Sequence, residues 1–143
     1  MNNEQIKHLE FIQSVITRMN TNSFQLKGWM ITLVSALLAL YANSKNVYFV
    51  YIAIVPVMIF WFLDSYYLQQ ERKFRGIYND VTGLTPDEEK QEVRLFEMPL
   101  QNYKKRKYHY CSSFFSATIF PLYGITAILL WLGGLILEGC IKF

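Results

Sequence analysis

The sequence holds little that could carry covalent chemistry. Two cysteines and two histidines are scattered over 143 residues, with no spacing that suits a metal or a redox pair. It has no glycine-rich phosphate loop, no His-Glu helix motif, no Cys-x-x-Cys and no Ser/His/Asp grouping. His8 and His109 stand singly in polar surroundings, where a solvated or interfacial place is expected. No enzyme activity, cofactor or metal is therefore expected. Cys111 and Cys140 lie at opposite ends of the last apolar block, so no bridge is expected between them if that block is one helix. Nor is a removable signal peptide expected, because about 23 largely polar residues precede the first apolar block.

Proline and glycine are scarce as well, and their absence leaves long stretches free to be helical. The hydrophobic content, 52%, is grouped into blocks rather than dispersed, and grouping separates a membrane chain from a soluble core. The expected fold is all-α: a membrane protein of about three transmembrane helices. An amphipathic helix over 1–23 comes first, with Leu9, Phe11, Ile12, Val15, Ile16 and Met19 on its apolar face. It either packs on the membrane or the polar part of the chain, or continues the first span as a rod. Span 1 covers 24–42, with Lys27 placed to snorkel at its start. Its small-residue face includes Gly28, Thr32, Ser35, Ala36 and Ala39, suited to close helix packing or, through Thr32, Ser35 and Ala39, to lining a pore. Span 2 covers 47–63 and carries Pro56, which predicts a kink. Span 3 covers 113–137, with kinks suggested at Pro121 and Gly124 and a re-entrant helix as the alternative.

Nine of the fourteen lysines and arginines fall in the segment 64–112, which places that segment and the N-terminus in the cytoplasm. The second span runs without Gly or Pro into Asp64–Arg75, predicting a helical extension beyond the bilayer. Asp64 either ends the span in headgroup water or contributes a carboxylate to a pore mouth. Thr82-Gly-Leu-Thr85 should stop the extension, and Thr85-Pro86-Asp87-Glu88 reads as the cap of a short helix reaching Met98. Within the extension, Arg72, Lys73 and Arg75 are interleaved with Tyr66, Tyr67, Phe74 and Tyr78. Cations that track phosphates beside rings that stack on bases are the ingredients of a single-stranded nucleic-acid site. An aromatic belt with orientation charges is the plainer account. Lys104, Lys105, Arg106 and Lys107 add a second basic run, which also suits anionic lipid headgroups.

The stretches Phe11–Asn20, Ser23–Trp29 and Phe62–Arg75 resemble small bacterial anti-phage membrane effectors, the SLATT-type proteins and especially the Hailong ion-channel effectors. The resemblance covers about half of the chain and rests on membrane-helix patterns; a third span is more than the two of typical SLATT proteins. It implies a homo-oligomer, with a tetramer favoured, in the bacterial inner membrane, acting as an abortive-infection channel. It further implies a partner nucleotidyltransferase whose oligodeoxyadenylate, or another nucleotide signal, holds the channel inactive. A non-conducting anchor or scaffold that recruits a cytosolic protein through the N-terminal helix and the 85–98 helix is the competing expectation.

Overall fold

The structure, a computed structural model, describes residues 1–142 without the side chain of Ile141. Its regular elements are all helical among the described residues: α1 (Asn3–Ser44), α2 (Tyr48–Ile52), α3 (Ile54–Thr82), α4 (Tyr110–Phe114) and α5 (Phe120–Ile141), with two 3-10 turns between α3 and α4. Three stretches are long and apolar enough to cross a membrane: α1, α2 with α3, and α5. The fold is that of an all-α membrane protein with three candidate spans.

Local chemistry explains each boundary. Asn2 caps α1: its Oδ1 accepts from the Gln5 amide at 2.9 Å while Gln5 Oε1 accepts from the Asn2 amide at 3.1 Å, a reciprocal capping box. With no Gly or Pro before Gly28, the amphipathic segment and span 1 form one 42-residue helix. Lys45 ends it in the left-handed region at φ 58°, its amide bonding the Tyr41 carbonyl. Pro56 breaks the second span as expected: its ring conflicts with the carbonyl four residues back, at Ile52, where α2 stops. Beyond the break α3 runs unbroken into the charged extension. It ends at Gly83, φ 77°, with the Leu84 amide reaching back to the Asn79 carbonyl at 2.9 Å. That pairing is a Schellman stop, and it falls where Thr82-Gly-Leu-Thr85 is expected to end the helix.

Two expected helices differ. Residues 85–98 form no helix; a turn at Pro86–Glu89, a second at Arg94–Glu97 and a positive φ at Phe96 (59°) replace it. A helix this short is marginal by itself, and the irregular path instead sets Val93 and Met98 against a hydrophobic core and the Gln91 amide on Asp80. The third span starts later than 113. Ser116 turns the chain through its hydroxyl and carbonyl, which accept from the amides of Ile119 and Phe120. Pro121 then stands in the first turn of α5, where a missing N–H costs nothing, so it starts the helix rather than kinking it.

Two compact units result. The first comprises Met1–Ser23 with Tyr66–Ser113, and the second Phe24–Ser65 with the chain from Phe114 onward. Ile12, Val15, Ile16, Phe74, Ile77, Tyr103 and Tyr108 are the core of the first unit. Phe11, expected on the apolar face of the helix, is exposed. The second unit turns Leu33, Leu40, Ile125, Leu129, Trp131 and Ile136 outward. Helices apolar on every side belong in lipid, where their backbone groups are satisfied internally. At 1.5 Å per residue, the 22 residues of α5 extend about 33 Å, enough for a hydrocarbon core of about 30 Å.

Candidate functional site

Two polar constellations stand out, one in each unit. In the first unit the two basic runs meet. Arg72, Arg75, Gly76 and Asn79 from α3 and Lys107 and Tyr108 from the second 3-10 turn line an open cavity of about 220 Å³. Helical spacing explains the selection. Positions 72, 75, 76 and 79 share one face of α3, whereas 73, 74 and 78 turn away from it. Arg72 Nη1 donates to Ser112 Oγ at 3.1 Å and to the Lys107 carbonyl at 3.4 Å, tying α3 to the second run. Arg75 pairs with Glu71 at 2.7 Å. The Lys107 ammonium lies 5.1 Å from the centre of the Tyr108 ring. Gly76 is required for this approach: a Cβ there would collide with the Tyr108 hydroxyl and stand 2.9 Å from the Tyr103 ring. Three cations against one carboxylate give the cavity a positive field suited to an anion, and arginine forks suit phosphate oxygens in particular.

The remaining residues of the sequence constellation go elsewhere. Phe74 is a core residue and is not available to stack on a base. Tyr78 packs at the core's edge and lines an apolar depression with Ile6 and Leu9. Tyr67 packs edge-on against Tyr66, at 6.0 Å between ring centres. Lys73 is half-buried on another face of α3. Lys105 pairs with Glu89 at 2.9 Å, and the hydrogen bond from the lysine, followed by its charge, holds that carboxyl below the ordinary range. Lys104 and Arg106 are exposed. Asn79, Gly76 and Tyr108 were missed because the sequence reading grouped neighbours along the chain rather than along a helix face.

Beside the cavity, Asp80 is buried and accepts from the Tyr103 hydroxyl at 2.5 Å and the Gln91 amide at 3.3 Å. Burial first, and then the bond to Asp80, push the Tyr103 hydroxyl well above the ordinary tyrosine range. His8, expected in a solvated setting, is instead buried under Phe96, with ring centres 5.7 Å apart.

The second constellation corrects the readings of Lys27 and Asp64. Lys27 does not snorkel free: its Nζ lies 2.5 Å from Asp64 Oδ2. The same oxygen accepts from the Tyr123 hydroxyl at 2.9 Å. One residue comes from each of α1, α3 and α5. The Asp64 side chain is 0% exposed and Lys27 25% exposed, so Asp64 neither ends the span in headgroup water nor offers a carboxylate to a pore mouth. Tyr123 stacks on Trp61, whose Nε1 donates to the Phe114 carbonyl at 3.1 Å. Removing one member of a buried charge pair costs about 3–5 kcal/mol, because the survivor is left without compensation.

Thr32, Ser35 and Ala39 share an exposed face of α1, and the Thr32 hydroxyl is satisfied by the Gly28 carbonyl at 2.9 Å. Among the described residues no group of His, Cys, Asp and Glu could hold a metal ion. Cys111 and Cys140 are both free and exposed. Comparison with protein families, with characterised proteins and with solved structures found no match.

Proposed function

We propose that the chain is one subunit of a homo-oligomeric ion channel in the bacterial inner membrane, acting as an anti-phage effector. Its charged unit faces the cytoplasm and binds a nucleotide or a short DNA oligomer, and that ligand sets whether ions pass. One observation carries the reading: Arg72, Arg75 and Lys107, from basic runs more than thirty positions apart, converge on one cavity. Orientation charges or lipid-facing lysines have no need to converge. The exposed Thr32, Ser35 and Ala39 face supplies a surface on which spans of neighbouring subunits can pack closely. The resemblance to Hailong effectors supplies the ligand class and the expectation of a tetramer. The alternative, a non-conducting scaffold, would recruit its partner through the N-terminal helix and the 85–98 segment, which is not a helix.

The test is oligodeoxyadenylate binding to the detergent-solubilised protein across a salt series. Each phosphate contact to a single strand contributes about 0.7 to the slope of log affinity against log salt. Lys107→Ala, whose side chain lines the cavity, is expected to weaken binding several-fold and to reduce the slope by about that amount. The Arg72→Ala, Arg75→Ala, Lys107→Ala triple variant should reduce it by about 2. Affinity and slope unchanged in the triple variant would remove the cavity as the ligand site. Light scattering in detergent that finds only a monomer would end the channel reading.

A further inference from the structure

We infer that Lys27, Asp64 and Tyr123 form a latch that holds the three spans in a non-conducting arrangement, and that withdrawal of Lys27 from Asp64 is the opening step. This rests on the channel reading above. The charged residues of the second unit are Lys27, Lys45, Asp64, Glu138 and Lys142, and among the described residues Asp64 alone is buried. A carboxylate enclosed among membrane helices is costly, and such groups mark ion paths and moving parts more often than simple packing. The asymmetry of exposure fixes which partner moves. Lys27 keeps a quarter of its side chain open and has somewhere to go; Asp64 has none. Once Lys27 leaves, the buried Asp64 carboxyl loses the cation beside it, and water is the replacement partner that can enter. Release of the latch and wetting of the space around Asp64 are therefore one event, which a channel needs in order to conduct. Packed helices switch between discrete arrangements rather than deforming gradually, so a tie shared by all three spans is placed to select between two states.

The experiment measures potassium efflux from liposomes carrying the wild type, Asp64→Asn, Lys27→Met, Tyr123→Phe, or the reversed pair Lys27→Asp with Asp64→Lys. Each is tested with and without a deoxyadenylate oligomer. In the condition where the wild type is quiet, Asp64→Asn and Lys27→Met are expected to raise efflux about tenfold or more, a shift of at least about 1.4 kcal/mol. Tyr123→Phe should raise it less, and the reversed pair should return it towards the wild type. Tyr123→Phe removes a single hydroxyl and keeps the test decisive where a charge-neutralised variant fails to fold. A wild type that conducts in one condition, with variants that match it in both, overturns the latch alone. No efflux from the wild type or any variant in either condition, with oligomers intact, overturns the channel reading itself.

Discussion

The Tyr103–Asp80 pair shows how one residue couples the folding of the first unit to its candidate site. Tyr103 covers Gly76 on one side and donates to Asp80 on the other. Its folded-state pKa lies above the unfolded value. The stabilisation is therefore complete below the ordinary tyrosine value of about 10 and is lost as pH rises through the folded one. Thermal melts followed by circular dichroism should show stability falling above about pH 10, with a shallower fall in Tyr103→Phe. At neutral pH that variant should lose about 1–3 kcal/mol, since a buried carboxylate is left short of a donor. An alkaline profile identical to the wild type would mean that the hydroxyl is not bound to Asp80. Residue-level detail of this kind was hard to read from the sequence. Asp64 sits at the edge of an apolar run, and nothing along the chain says that Lys27 and Tyr123, each far away in sequence, close on it. His8 looked solvated because its neighbours in sequence are polar; its neighbours in space are not.

At the scale of elements, boundaries followed from the sequence wherever the cause was local. Gly83 ends α3, Pro56 divides the second span and an uninterrupted α1 runs for 42 residues. Prediction failed where tertiary contacts outweighed local propensity. The 85–98 segment carries a good cap yet stays irregular because Val93, Met98 and the Gln91 amide are held by the first unit's core and by Asp80. Ser116 and Thr118, small polar residues inside an apolar block, were the available sign that the third helix starts late. One glycine of α5 places elements in contact, and its neighbour supplies the control. A Cβ at Gly134 would stand 2.6 Å from the Tyr51 ring, so α5 touches Tyr51 of α2 through the glycine itself. Gly134→Ala is expected to cost about 1–3 kcal/mol through overpacking, read as a lower melting temperature in detergent. Gly133→Ala, with open space around it, should leave the melt unchanged and serves as the control. Equal effects at the two positions would contradict the packing of α5 on α2.

For the whole molecule, the number of crossings decides which side of the membrane each polar group occupies. The second unit keeps its charged residues at the limits of its apolar stretches: Lys27 and Asp64 at one set, and Lys45, Glu138 and Lys142 at the other. That distribution is what three full crossings require, because the stretches between must lie in hydrocarbon. Nine of the fourteen basic residues fall between the second and third spans, and by the positive-inside rule the cytoplasm is the side proposed for the segment that carries them. The two native cysteines test this without any substitution. Cys111 precedes the third span and Cys140 closes it, and both are exposed. In intact spheroplasts a membrane-impermeant maleimide is expected to modify Cys140 and spare Cys111. Inverted membrane vesicles should give the opposite result. Labelling of both cysteines from one side would mean that α5 enters and leaves by the same face, as a re-entrant helix. In that case a tie from Tyr123 to Asp64 could no longer report on three independent spans. Labelling of Cys111 alone from outside would invert the protein and put the Arg72–Lys107 cavity where no cytosolic oligonucleotide could reach it.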